Sequence, residues 1–118
     1  MATKLGLPPY CETVEVSTSV AGNASVTTEN AIIGEVFAIA YDRGSVNSET
    51  TAVITSENPT LTIDSYNVNT AATAIRGIGC QVADSSDSFV PIPVRSKLTI
   101  TVSGGAQSKA FTVYVYYR

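Results

Sequence analysis

The sequence predicts an all-β fold: a single-domain antiparallel β-sandwich or jelly-roll-like fold of about eight short strands, preceded by an extended N-terminal arm. Three observations predict it. Apolar and polar residues alternate with period two in several short runs, and turn chemistry separates the runs at close intervals. No segment reads as a helix in preference to a strand, Ala31 to Tyr41 being the one where a helix competes. The 118 residues suffice for one core and not for two. We divide the chain into an arm over residues 1–11 and a β domain over residues 12–118.

The arm, MATKLGLPPYC, carries Pro8 and Pro9, which remove backbone donors and favour an extended path. From Glu12, the residues Val14, Val16, Thr18 and Val20 alternate with Glu15, Ser17 and Ser19, and the strand stops at Ala21-Gly22-Asn23. A short segment with Ala24 and Val26 continues it past a kink at Gly22. Ala31 to Tyr41, AIIGEVFAIAY, is apolar at both parities, which predicts a central strand covered on both sides. Its Ile32, Ile33, Val36 and Ile39 are β-branched, and Gly34 would cost a helix about 1 kcal/mol.

Asp42-Arg43-Gly44-Ser45 supplies turn residues. TTAVITS and PTLTID follow as a hairpin about Ser56-Glu57-Asn58-Pro59, and Ser65 to Ala72 reads as a loop with at most one helical turn. Ala74 to Ala83 places Ile78, Cys80 and Val82 on one face and Gly77 and Gly79 on the other, where glycine marks a bulge or a close neighbour. Asp84 to Ser88 is an acidic loop. In FVPIPV, Pro91 and Pro93 each lack a ladder donor, which places that segment at a sheet edge or in a crossover. The chain ends in KLTITVSGGAQSKAFTVYVYYR, read as a hairpin with a Gly-Gly tip. Leu98, Ile100, Val102, Phe111, Val113 and Val115 form its core-facing row, with Tyr114 and Tyr116 on the opposite face.

Composition narrows the chemistry. Charged residues make up 14% of the chain, below the roughly one-quarter usual for soluble domains, so part of the surface is neutral and suited to cover by a partner or further subunits. The net charge of −3 and scattered basic residues argue against a nucleic-acid partner. No run approaches the about eighteen apolar residues of a membrane span, and the N-terminus has no leader-like apolar stretch, so we expect a soluble, cytoplasmically made chain with no membrane partner. Cys11 and Cys80 then read as buried free thiols, a disulfide between them being the alternative.

The absence of histidine removes Ser-His-Asp and Cys-His machinery and the usual zinc sets. Asp84 with Asp87, and Asp42 with Glu49, read as solvated loop acids rather than paired catalytic carboxylates. We therefore expect no enzyme, no catalytic residues, no metal and no cofactor. Tyr114 and Tyr116, side by side on a sheet face, suit packing, a protein interface or a sugar platform.

The terminal RSKLTITVSGGAQSKAFTVYVYYR resembles small structural proteins encoded in the virion gene clusters of tailed bacteriophages, whose chains end KLxxxVxGG, a polar spacer, then VxVYY. The preceding IRGIGCQVADSSDSFVPIPV is similar to the segment leading into their final strand pair, although Ala74-Ile75-Arg76-Gly77 stands where those chains carry an aromatic-Pro-Arg pattern. The resemblance covers the C-terminal third. It implies a non-enzymatic virion component on the capsid exterior, a decoration or cement protein bound in many copies to the major capsid protein lattice. A receptor- or carbohydrate-binding module, or a head-to-tail connector or tail component, is the alternative. The candidate interface residues are Leu5, Leu7, Pro8, Pro9 and Tyr10 of the arm, with Tyr114 and Tyr116.

Overall fold

The computed structural model describes residues 9–78, 80–81 and 89–118, with residues 80–81 and 89–90 described in backbone only. Eleven strands occur among them: β1 (Tyr10–Ser17), β2 (Ala24–Thr27), β3 (Ile32–Asp42), β4 (Thr51–Glu57), β5 (Thr60–Asn67), β6 (Thr73–Gly77), β7 (Cys80–Gln81), β8 (Phe89–Val90), β9 (Ile92–Ser96), β10 (Leu98–Val102) and β11 (Ala110–Tyr117). One 3-10 turn, Val68–Thr70, follows β5. The expected all-β sandwich is present, as two packed antiparallel sheets.

One sheet runs β1-β11-β3-β6, and the other runs β2-β10-β4-β5. Val36 of β3 faces Tyr117 on one side and Ile92 on the other, so β9 shares with β6 the edge of β3 opposite β11. Among the principal strands the pairs β1–β11, β2–β10, β3–β6 and β4–β5 are nested, as in a ribbon folded back on itself at the β4–β5 turn. Rolling that ribbon adds β11–β3 and β10–β4. This connectivity is a jelly roll.

The core lies between the sheets. Val14, Val16, Ile39, Tyr41, Phe111, Val113 and Val115 face Ala52, Ile54, Leu98, Ile100 and Val102, all buried. Fully burying one such aliphatic side chain contributes about 2 kcal/mol. At the corners, where strands leave a ladder, buried threonine hydroxyls replace the lost backbone partners. The Thr18 hydroxyl donates to Ala106 O (2.6 Å) and accepts from Lys109 N (2.9 Å). Thr28 donates to Asn30 O (2.8 Å) and accepts from Leu98 N (3.1 Å), and Thr50 donates to Ser48 O (3.0 Å) and accepts from Ala106 N (2.9 Å). The Thr-rich composition thus serves the corners as well as the strands.

Several expectations are corrected. The terminal hairpin is not one: β10 and β11 lie in different sheets, joined by an arch over residues 103–109. Both strands bury the predicted row, and alternation alone cannot tell a hairpin from an arch, because each turns one apolar face to the same core. The arch is tied to the β1–β2 corner by Gly105 N to Gly22 O (2.9 Å) and Ser108 N to Ser19 O (3.0 Å). Gly22 has φ +81°, and a Cβ there would strike the Gly105 carbonyl, so glycine is required on both counts.

β3 is not covered on both faces. Tyr116 pairs with Ala38 and Tyr117 with Val36, leaving Phe37 as the extra residue of a β-bulge. The inward parity changes there, from Ile32 and Val36 to Ile39 and Tyr41, which is why both parities are apolar. Ile33, on the outer face, is 68% exposed.

The first strand, β1, begins at Tyr10, two residues before the Glu12 read from alternation. Val20 belongs to the corner turn and is exposed, because the strand ends at Ser17. β2 crosses to the other sheet instead of continuing β1. Ser65 to Asn67 extend β5, and nothing lies near the Cβ position of Gly77. Cys11 is an exposed free thiol, since its odd position in β1 points away from Val14 and Val16. The Cys80 side chain, Gly79, Val82 and Asp84 to Ser88 lie outside the described residues. The β4–β5 hairpin and the edge position of β9, with Pro93 exposed, agree with the sequence.

Candidate interaction face

The outer face of the five-stranded sheet carries no covering layer among the described residues. Three outward rows cross it: Cys11, Tyr116, Ala38 and Gly77; Thr13, Tyr114, Ala40 and Ile75; Glu15, Thr112, Asp42 and Thr73. The first two rows are uncharged. Tyr114 and Tyr116 stand half-buried on β11, while Val113 and Val115 between them enter the core. Beside the tyrosines, β3 offers only the methyl groups of Ala38 and Ala40. Beyond those, Ile75 is 78% exposed.

Charge sits at the two ends of the face. Glu15 and Asp42 occupy one end, where Asp42 Oδ1 also accepts from Gly44 N at 3.0 Å in a turn. At the other end Arg118 lies over the Phe37 ring, 4.9 Å from its centroid, and 3.7 Å from the Glu35 carboxylate. That ion pair is half exposed, a setting in which such pairs contribute about 0–1 kcal/mol. Between these charged ends the face is neutral, with Tyr114, Tyr116, Ala38, Ala40 and Ile75 side by side.

The candidate residues separate accordingly. Tyr114 and Tyr116 lie together on this face as the alternation requires. Pro9 is exposed just before β1. Tyr10 is the first residue of β1 and packs toward the core, its ring 5.4 Å from that of Tyr117. Leu5, Leu7 and Pro8 lie outside the described residues. Glu49 is exposed and distant in role from Asp42, whose carboxylate serves the turn.

The sequence reading missed one polar cluster, at the edge where β5 and β6 face each other across the sandwich. Ile54 pairs with Asp64 and Thr55 with Thr62, so Ile63 is bulged and Asp64 turns inward instead of outward. Arg76 of β6 meets it with Nε to Oδ2 at 2.8 Å and Nη2 to Oδ1 at 3.0 Å. The Tyr41 hydroxyl donates to Oδ2 at 2.7 Å. Tyr66 stacks on Tyr41, 4.7 Å between centroids, and receives the Arg76 guanidinium on its ring at 4.7 Å. Burial, then the hydrogen bond to Asp64, pushes the Tyr41 phenol well above its ordinary range, and the same carboxylate raises Arg76. Every oxygen of Asp64 is engaged, so the cluster clips the two sheets together. No signal in the sequence marks it, because Asp64 follows Leu61 and Ile63 in the outward, polar phase of TLTID and only the bulge turns it inward.

Among the described residues no three His, Cys, Asp or Glu side chains converge, and no helix is long and apolar enough to cross a membrane. A scan against protein-family models finds no matching family, and a search of curated proteins finds no match. The fold and the face define an all-β jelly-roll module with an uncovered, largely neutral sheet face.

Proposed function

We propose that this chain is a non-enzymatic virion structural protein, a capsid decoration or cement protein that binds the major capsid protein lattice and stabilises the head. The observation that carries the reading is the uncovered face around Tyr114, Tyr116, Ala40 and Ile75, a contiguous neutral surface of the kind that marks interaction sites. Aromatic side chains are enriched in such contacts because they offer large, rigid area. The C-terminal resemblance supports the same reading, and jelly rolls recur among viral capsid domains. A protein that binds only the assembled shell stabilises it by mass action.

Quantitative mass spectrometry of purified particles tests this. The expected result is a copy number comparable to that of capsomers, with Ile75→Glu depleting the chain from particles without changing its melting temperature. A handful of copies per particle would place it at a head-to-tail connection. Glycan binding lost in Tyr116→Ala, with particle assembly intact, would make the face a sugar platform instead.

A further inference from the structure

We infer that the edge of β1 opposite β11, unpaired among the described residues, pairs antiparallel with β1 of a second copy, joining two five-stranded sheets across a two-fold axis. Exposed strand edges carry unpaired N–H and C=O groups and are usually blunted. The other edge strands are: β2 is four residues long, β6 five, β5 is bulged at Ile63, and β9 carries Pro93. β1 has eight residues in unbroken register with β11 and contains no Pro, Lys or Arg.

The phase of its hydrogen bonds follows from Thr18, whose N–H donates to Lys109 O at 2.8 Å directly across the ladder. Hydrogen-bonded pairs recur every second residue, so Tyr10, Glu12, Val14 and Val16 address β11. Cys11, Thr13, Glu15 and Ser17 turn their N–H and C=O groups to the open edge. Among the described residues these groups make no hydrogen bond outside the β1–β11 ladder.

The side chains suit self-pairing. A dyad on Glu12 or Glu15 would set like carboxylates directly opposite, which is destabilising. A dyad on Thr13 places Thr13 opposite Thr13 and Cys11 opposite Glu15, and a dyad on Val14 places Thr13 opposite Glu15 and Cys11 opposite Ser17. Neither opposes two acids. The pairing uses the same patch on both subunits and closes, leaving no β1 edge to propagate. Its axis is normal to the sheet, so both Tyr114 and Tyr116 faces point the same way. The inference stands apart from the proposed function, since it concerns the isolated chain.

Sedimentation velocity of the full chain is expected to show a dimer. Thr13→Pro removes an edge N–H without touching the β11 ladder and is expected to give a monomer with an unchanged circular dichroism spectrum; Thr13→Lys serves the same purpose if the proline variant fails to fold. In a Cys80→Ala background, Glu15→Cys or Ser17→Cys is expected to cross-link to Cys11 of the second copy with a short bis-maleimide. A monomer at all concentrations overturns the inference. So does a dimer that persists in folded Thr13→Pro and Thr13→Lys variants and yields neither cross-link.

Discussion

Asp64 reaches the interior because Ile63 is bulged, and the cost of placing a carboxylate there is offset by three short hydrogen bonds from Arg76 and Tyr41. Its side chain is 6% exposed while that of Arg76 is 40% exposed, so removing the arginine does not match the loss of a fully buried pair. Arg76→Met is expected to cost about 2 kcal/mol, the range for hydrogen bonds to charged groups, measured by denaturant unfolding. Tyr41→Phe leaves Asp64 with its arginine and is expected to cost about 1 kcal/mol near neutrality. The two variants differ at high pH. In the unfolded chain Tyr41 ionises at its ordinary value of 10.0, whereas in the fold burial and Asp64 hold the proton on. The native state therefore binds the extra proton above that pH, and stability, fully present below pH 10.0, declines as pH rises past it. Wild type is expected to lose melting temperature more steeply above this point than Tyr41→Phe, which removes the titrating group. Thermal melts across an alkaline series check it, and parallel curves would count against the clip.

At the scale of elements, the bulges at Phe37 and Ile63 explain where sequence reading succeeds and where it fails. Alternation gives a strand's inward face as long as the phase is kept, which is why Leu98, Ile100, Val102, Phe111, Val113 and Val115 were legible as core and Tyr114 and Tyr116 as their outward counterparts. One inserted residue inverts the phase. Through it β3 reads as apolar on both sides, and Asp64 reads as exposed. A deletion experiment separates the two kinds of strand. Removing Phe37 restores an uninterrupted in-out order from Val36 to Ala38 and Ile39, so the fold is expected to survive with a loss of roughly 1–3 kcal/mol, including the Ile78 N to Phe37 O bond. Removing Thr99 from the regular β10 sets Leu98 and Ile100 on opposite faces, and no cooperative thermal transition is expected. A Phe37 deletion that unfolds the protein would mean the bulge itself is required.

For the whole molecule, the decisive quantity is which strand pairs with which, and this is nearly invisible in a single sequence. Period-two alternation specifies faces and says nothing of partners, so the stretch around Gly104 and Gly105 fits a hairpin and an arch equally well. The candidate face was half legible for the same reason: Tyr114 and Tyr116 follow from parity, whereas Ala38, Ala40 and Ile75 join them only once β11 is laid beside β3 and β3 beside β6. The rolled ribbon makes β11 central, between the first strand and β3, with no ladder to its sequence neighbour β10. Truncation of residues 110–118 strips β1 of its partner, bares one side of β3 and removes Phe111, Val113 and Val115 from the core. The truncated chain is expected to lose its cooperative unfolding transition. Because the missing strand is held from both sides by segments it does not adjoin in the chain, a synthetic peptide spanning residues 109–118 is expected to restore the transition in trans. Its midpoint should rise with peptide concentration, as binding to the folded state alone requires. Had β10 and β11 formed a hairpin, the peptide would have to add at β10, and Tyr114→Lys, on the outward face, would complement as well in either arrangement. Val113→Lys places a charge in the core in either arrangement and is expected to abolish complementation.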